Sequence, residues 1–139
     1  MNKTILKTAS ALGLLAVIFG ALGAHALKSQ INSEALNSFQ TGVQYQMYHA
    51  LFLLFLGILK SIPDLWRKRI FNMVFAGVLL FSGSIYMLST SEITGINFKP
   101  FGWITPIGGF LLIMGWSLLL YWGATAEPSK TKETVNQAP

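Results

Sequence analysis

The sequence concentrates hydrogen-bonding side chains in one stretch, Gly42 to Leu51, at the start of an apolar run that continues to Leu59. Amide, phenol and imidazole groups can bind a polar ligand, ligate a metal or link neighbouring helices. Because such groups are costly in hydrocarbon unless they have partners, other segments of the chain must supply those partners. We expect a polar cluster or ligand pocket formed by His25, Gln44, Tyr45, Gln46, Tyr48, His49, Ser82, Ser84, Tyr86 and Thr105.

The two histidines do not have the spacing of a metal site. His25 ends the first apolar run at the membrane boundary, whereas His49 lies roughly 14 Å deeper by helix rise. Since a metal needs its ligand nitrogens about 2 Å away, a shared ion is not expected. The chain has no cysteine to act as a thiolate, and its five acidic residues fall in turns, loops or the tail. The sequence therefore predicts no metal, no cofactor and no enzyme active site.

Composition predicts that most of this chain lies in a membrane. Of its 139 residues, 53% are hydrophobic and only 11% are charged, against about 25% charged residues in soluble domains. We predict an all-α membrane protein whose four transmembrane helices pack as a bundle, with spans at about 6–26, 40–60, 70–89 and 103–122. Residues 1–123 form this domain, and the polar residues 124–139 are predicted to be a disordered cytoplasmic tail.

The segment that leads into the second span is predicted to be amphipathic. The wholly apolar residues 50–59 are too few to cross a core of about 30 Å, so the span must reach back to Gln40. Before it, Asn32 or Ser33 is a typical helix cap, and apolar residues follow at helical spacing. We therefore expect a short amphipathic surface helix between spans one and two, either continuous with the second span or bent at Gly42.

The first apolar run allows two interpretations. Ala24-His25-Ala26 has the form of a signal-peptidase site, whereas small residues at spacings of three and four favour a retained helix with a close neighbour. The glycines that open the fourth span also predict a close contact, with the small face of the first helix as the expected neighbour. The residues expected to mediate helix packing are Gly13, Ala16, Gly20, Gly23, Gly83, Pro106, Gly108 and Gly109.

The distribution of charge predicts the orientation. With four spans, eight of the ten Lys and Arg residues fall on the side of both termini, and only Lys28 and Lys99 fall on the other. The positive-inside rule therefore predicts cytoplasmic N- and C-termini. Although the net charge is +5, the basic residues flank apolar runs and form no dense stripe, so nucleic acid is not an expected partner. The expected partners are membrane lipids and either further copies of the chain or a larger membrane-protein complex.

Four short motifs carry a resemblance to a known family. They are Gly20 to Leu27, Thr41 to Leu51, Phe81 to Tyr86, and Thr105 to Gly109 followed by Gly115-Trp116. In this order they resemble the bacterial inner-membrane family called domain of unknown function 423, which is similar to the eukaryotic transmembrane protein 256 group. The resemblance covers about Leu6 to Trp122. It implies a small four-span inner-membrane protein, assigns no activity, and highlights Gly23, His25, Gln46, Tyr48, His49, Gly83, Pro106 and Gly109.

Two functions remain open from the sequence. The first is a non-enzymatic structural or accessory subunit of a membrane assembly, in which the polar cluster links the helices. The alternative is a small-molecule or lipid binding or transport protein, in which a polar pocket around His49 opens in the outer half of the bundle. A channel is not expected, because the predicted spans contain no Asp, Glu or Arg, and their two lysines, Lys7 and Lys60, lie at the cytoplasmic ends.

Overall fold

A computed structural model describes residues 2–126, and within them the chain is helical and has no strand. Four helices are long: α1 (Lys3–His25), α2 (Ser33–Ile58), α3 (Asp64–Ser89) and α5 (Ile104–Thr125). A four-residue helix, α4 (Ser91–Thr94), and two 3-10 turns, Leu27–Ser29 and Lys99–Phe101, lie between them. The prediction of an all-helical chain is therefore confirmed. Of the predicted disordered tail, residues 127–139 lie outside the described part.

Three of the long helical segments are long and apolar enough to cross a membrane. They are Lys3–Ser29, Asp64–Ser89 and Lys99–Thr125. Helix α2 is not among them, although it has 26 residues. It contains Asn37, Gln40, Gln44 and Gln46, which lower its mean hydropathy.

Helix α2 runs without interruption from the predicted cap to the end of the apolar run. The side chain of Asn32 accepts a hydrogen bond from the backbone N–H of Ala35 at 2.9 Å, so the predicted cap is confirmed. The expected surface helix is not a separate element, and the helix does not end or restart at Gly42. The physical reason is that the apolar spacing continues through this region, where Phe39 is buried against α1.

Small residues allow α1 and α2 to pack along their whole length. Successive turns of α1 meet successive turns of α2 in reverse order, which makes the two helices antiparallel. Ala16 is also buried on this face of α1, with 1% of its surface exposed. The facing pairs are Gly13 with Ala50, Gly20 with Val43, Gly23 with Phe39, and Leu6 with Gly57.

Two backbones approach closely where α5 crosses α3. A methyl group added at Gly108 would overlap the backbone of Leu80 and Phe81, so only glycine fits there. Gly77 is similarly tight, because an added methyl group would lie 2.6 Å from a side-chain carbon of Leu112. The expectation that the fourth span packs on the first helix is therefore wrong at Gly108, whose neighbour is α3.

Two of the residues expected to mediate packing make no close helix contact. Gly83 has open space around its α-carbon, with no atom within 4 Å of an added methyl group. Pro106 lies in the first turn of α5 and is exposed. Both residues therefore face outward, and the expected residues that do mediate contacts are those at the α1–α2 and α3–α5 interfaces.

The helices that pack closely are neighbours in sequence: α1 with α2, α2 with α3, and α3 with α5. Within residues 2–126, α1 and α5 are not among the closely packed pairs. The apolar core lies towards the end of the molecule that carries Lys3 and the α2–α3 turn. Its larger members are Ile5, Leu12, Phe52, Leu53, Leu56, Ile62, Ile70, Val74, Val78 and Leu112.

Arg67 fixes the turn between α2 and α3. Its guanidinium donates hydrogen bonds to the carbonyl oxygens of Leu59 at 2.8 Å and Ile62 at 2.7 Å, and it pairs with Asp64. The bond to Leu59 satisfies a carbonyl that the end of α2 leaves without a helical partner, and the bond to Ile62 fixes the turn that follows. The turn thereby directs α3 back along α2.

We predict that Gly108→Ala lowers the stability of the folded protein, because the added methyl group displaces the backbone of α3. Overpacking of this kind costs about 1–3 kcal/mol, which thermal unfolding in detergent will register as a lower Tm. Gly83→Ala is the matched control, since its methyl group enters open space and alanine is the better helix former. Equal loss of stability in the two variants would contradict the α3–α5 contact.

Candidate functional site

The amide of Gln46 joins three helices. Its side chain is 4% exposed. The amide N–H donates to the carbonyl oxygen of Leu12 in α1 at 2.8 Å, and the hydroxyl of Tyr86 in α3 donates to the amide oxygen at 2.8 Å. Both ends of the amide therefore have partners inside the chain. This arrangement fixes the register of α1 and α3 relative to α2.

The imidazole of His49 is also satisfied at both nitrogens. Its Nδ1 lies 2.7 Å from the carbonyl oxygen of Tyr45, and because a carbonyl only accepts, Nδ1 carries the proton. The other nitrogen, Nε2, accepts a hydrogen bond of 3.3 Å from the indole N–H of Trp116 in α5. The ring is therefore neutral and links α2 to α5.

Two buried serines extend these links to the remaining helix pairs. The hydroxyl of Ser82 donates to the carbonyl oxygen of Gly42 at 2.8 Å, which ties α3 to α2. The hydroxyl of Ser84 donates to the carbonyl oxygen of Phe81 at 3.0 Å and lies 2.7 Å from the hydroxyl of Thr105. Since the single proton of Ser84 is used within α3, Thr105 is the donor across the α3–α5 contact.

We call these seven residues the polar cluster. All of its side chains take part in hydrogen bonds that end on another cluster member or on the backbone. The cluster connects α1, α2, α3 and α5, and its members Gln46, His49 and Trp116 adjoin the core residues Leu12 and Phe52. Its members are Gln46, His49, Ser82, Ser84, Tyr86, Thr105 and Trp116.

Four residues of the expected cluster make no side-chain hydrogen bond within it. Gln44 and Tyr48 are exposed because they lie on the face of α2 opposite Gln46 and His49. His25 is the exposed last residue of α1. Tyr45 is 40% exposed; it contributes its carbonyl oxygen to His49 and packs its ring on Phe81 with centroids 4.8 Å apart.

Trp116 was not among the expected site residues. The signal that could have indicated it is the indole N–H, which lies in the middle of an apolar segment where a donor needs an acceptor. Its ring also packs edge-on against Phe52, with centroids 4.5 Å apart. Both contacts hold α5 against α2, although the two backbones are not closely packed.

A groove lies between α2, α3 and α5 beside His49. Its volume is about 580 Å³, within the range of small-molecule sites. The walls are mainly apolar, and the polar side chains among them are those of Tyr45, His49, Trp116 and Ser117. Across Trp116, a second groove of about 410 Å³ continues between α2 and α5 past Phe55.

The hydrogen bonds of the cluster run between helices and to the backbone. The imidazole uses one nitrogen on a carbonyl of its own helix and the other on an indole, and neither bond activates a nucleophile. Among residues 2–126, no group of three or more His, Asp or Glu side chains is placed to hold a metal ion. What the geometry does is satisfy polar groups between helices.

Comparison with known proteins places the chain in a family. A family model described as "Protein of unknown function (DUF423)" matches residues 19–109. The chain belongs to the DUF423 family. The resemblance carried by the four sequence motifs is thus confirmed, and the matched region contains six of the seven polar-cluster residues.

Several DUF423 relatives are named as membrane proteins. The UPF0382 membrane protein YwdK of Bacillus subtilis is 40% identical over 109 residues, covering 77% of this chain and 85% of the relative. A UPF0382 membrane protein of Staphylococcus aureus is 39% identical over 107 residues, covering 77% and 84%. One of Haemophilus influenzae is 33% identical over 121 residues, covering 87% and 94%. No solved structure matches the chain. With the three apolar helical segments, these relatives identify an integral membrane protein.

We predict that Tyr86→Phe destabilises the protein, because the amide oxygen of Gln46 loses its donor in a buried position. Hydrogen bonds between membrane helices contribute about 0.6–2 kcal/mol, which unfolding in detergent can measure. Tyr48→Phe removes the same hydroxyl from a side chain that is 58% exposed, and it serves as the control. Equal stability of Tyr86→Phe and the wild type would mean that this bond does not hold α2 and α3 together.

Proposed function

We propose that α2 is a fourth membrane span. At about 1.5 Å per residue its 26 residues extend about 39 Å, more than a hydrocarbon core of about 30 Å. It packs antiparallel along α1 from Phe39 to Gly57, so it accompanies an apolar helix through the same depth. Gln46 and His49 lower the mean hydropathy of α2, but both are buried and have hydrogen-bond partners inside the chain.

We also propose that the protein lies in the bacterial inner membrane with both termini in the cytoplasm. Four spans place Lys3, Lys7 and the basic α2–α3 turn on one side, and Lys28 and Lys99 on the other. This excess of positive charge supports the orientation by the positive-inside rule. The exposed side chains of Lys28, Lys68 and Lys99 make the orientation testable.

The chain has no cysteine, so single-cysteine variants report topology without a background. We predict that Lys28→Cys and Lys99→Cys react with a membrane-impermeant maleimide in spheroplasts, because both lie outside. Lys68→Cys should react only after the membrane is opened. If α2 did not cross the membrane, Lys28 and Lys68 would lie on the same side, and equal labelling of those two positions would contradict the four-span arrangement.

Within this arrangement we propose a non-enzymatic structural or accessory subunit of a membrane assembly. The observation that carries the proposal is that the buried amide of Gln46 and the buried imidazole of His49 have hydrogen-bond partners inside the chain, most of them on another helix. Groups that are bonded in this way stabilise a scaffold and leave no acid–base pair for a reaction. The outward surface is apolar and is available to lipid or to another protein.

The outer face of α3 supports contact with a further copy of the chain or another membrane protein. Gly83 has no neighbour within 4 Å of an added methyl group, and Leu79 and Met87, one turn away on either side, are 51% and 42% exposed. A small residue between two larger ones lets a second helix approach closely. The glycines at the other helix contacts pack against a neighbouring helix of the same chain, whereas Gly83 does not.

We predict that Gly83→Cys forms a crosslinked species in native membranes when a short bifunctional thiol reagent or an oxidant is added. Val78→Cys is the matched control, because it lies on the same helix, is 2% exposed and replaces valine with a side chain of similar size. A crosslink at position 83 to the same chain or to another membrane protein supports an assembly. If Gly83→Cys is expressed as well as the control and yields only monomer, the proposal that this face of α3 forms the contact is contradicted.

A second candidate function is the binding or transport of a lipid or apolar small molecule. The observation that favours it is the groove of about 580 Å³ beside His49, which is open at the side of the helices and has mainly apolar walls. An apolar ligand would contact Ile113 and Leu120 there, while Tyr45 and Ser117 offer hydroxyls. A small molecule that co-purifies with the wild type would favour this function over a purely structural one.

A further inference from the structure

A second polar site lies at the opposite end of the helices from the apolar core. It is a cavity of about 500 Å³ between the start of α2, the end of α3, α4 and the segment that leads into α5. Its walls include the charged side chains of Glu34, Glu92 and Lys99 and the apolar side chains of Ile85 and Leu88. No residue of the His49 groove lines this cavity.

Charge is concentrated in this cavity. At this end of the helices the chain carries four charged side chains, Lys28, Glu34, Glu92 and Lys99. All of them except Lys28 line the cavity. The salt bridge present in residues 2–126 is that of Arg67 with Asp64. The carboxylates and the ammonium of the cavity are therefore not paired with one another, which leaves both signs of charge for a ligand.

The cavity also contains a buried hydroxyl without a partner. Ser89 is 5% exposed, and its Oγ forms no hydrogen bond within the described residues. The neighbouring hydroxyls behave differently, because Thr90 donates to the carbonyl oxygen of Tyr86 and Ser91 to that of Met87. An unsatisfied buried hydroxyl is costly, so a ligand oxygen that accepts from Ser89 would stabilise the site.

The position of one carboxylate is fixed by the helix cap of α2. The side-chain oxygen of Asn32 caps that helix, and its amide N–H donates to a carboxylate oxygen of Glu92 at 3.2 Å. This bond holds α4 beside the start of α2. Because the cap itself is anchored in the helix, Glu92 is held at the cavity wall before any ligand arrives.

We propose that this cavity binds a zwitterionic head group that carries a primary ammonium beside a phosphate, as in phosphatidylethanolamine. The ammonium donates to the carboxylates of Glu34 and Glu92, while the phosphate accepts from the ammonium of Lys99 and from the hydroxyl of Ser89. Charge-assisted bonds of this kind are the stronger class of hydrogen bond. The cavity lies at the ends of two apolar helical segments, which is the level of lipid head groups on either side of a membrane.

The test uses the full-length protein in detergent, with thermal unfolding as the readout. Phosphatidylethanolamine, phosphatidylcholine and phosphatidylglycerol with identical acyl chains are titrated separately, together with soluble phosphoethanolamine. We expect the largest rise in Tm with phosphatidylethanolamine, because the choline head group has no N–H donor and the glycerol head group has no positive charge. A rise with soluble phosphoethanolamine as large as that with the lipid would support the site and assign it to the free zwitterion.

Three variants assign the binding to the cavity. Glu92→Gln keeps an oxygen that can accept from Asn32, Lys99→Gln removes the positive charge, and Ser89→Ala removes the unpartnered hydroxyl. Each is expected to weaken phosphatidylethanolamine binding about tenfold, as for the loss of one charge-assisted hydrogen bond. Lys28→Gln is the control, since Lys28 lies at the same end but does not line the cavity, and it should bind as the wild type does.

The results that would overturn the proposal can be distinguished from a loss of folding. Equal rises in Tm with the three lipids would show that head-group chemistry is not recognised. Unchanged affinity in both Glu92→Gln and Lys99→Gln would also overturn it. If Glu92→Gln unfolds in the absence of lipid, Ser89→Ala and Glu34→Gln decide the question, because neither side chain forms a hydrogen bond within the described residues.

Discussion

A buried amide between three helices is the constraint on which the rest of this structure depends. Gln46 offers a donor and an acceptor in a buried position, where a missing partner would leave a polar group unsatisfied. The carbonyl oxygen of Leu12 and the hydroxyl of Tyr86 satisfy it from opposite sides. A displacement of α1 or α3 by one turn would leave that amide unsatisfied, so these two bonds select one register among the many that apolar packing alone would tolerate.

The amide can have these partners only because small residues bring the helices together. Gly42 allows the ring of Tyr86 to lie against α2, where a methyl group would be 2.9 Å from a ring carbon. The carbonyl oxygen of Gly42 then accepts the hydroxyl of Ser82. The same residue thus gives both the space and the acceptor, and close packing and hydrogen bonding are a single feature of the α2–α3 interface.

The sequence predicts the composition of the polar cluster better than its geometry. Helical periodicity shows that Gln46 and His49 share a face, and the cost of burying them requires partners, which the structure places at Tyr86 and in the backbone. Periodicity does not show how a helix is rotated against its neighbours. For that reason Gln44 and Tyr48 were expected in a cluster from which the rotation of α2 excludes their side chains.

Packing of α5 was harder to predict for the same physical reason. The glycines that open this helix indicate a close neighbour, but any helix with a flat face satisfies that requirement. What decides between α1 and α3 is the connection after α3, which returns the chain beside the helix it has just left. Trp116 could be identified as part of the site only once α5 was placed, because its acceptor, His49, lies 67 positions away in the sequence.

The low hydropathy of α2 follows from this same chain of bonds. A hydropathy value counts each glutamine and histidine at its cost of transfer from water, as if the side chain entered hydrocarbon alone. In this fold Gln44 is exposed, whereas the buried members of that set, Gln46 and His49, are already bonded inside the chain. Their effective cost is then far below the tabulated one, and a helix that scores as marginal by composition can cross beside three apolar ones. Gln46 and His49 therefore add hydrogen bonds with α1, α3 and α5 to the apolar packing of α2, and they do not count against its place among the spans that we propose.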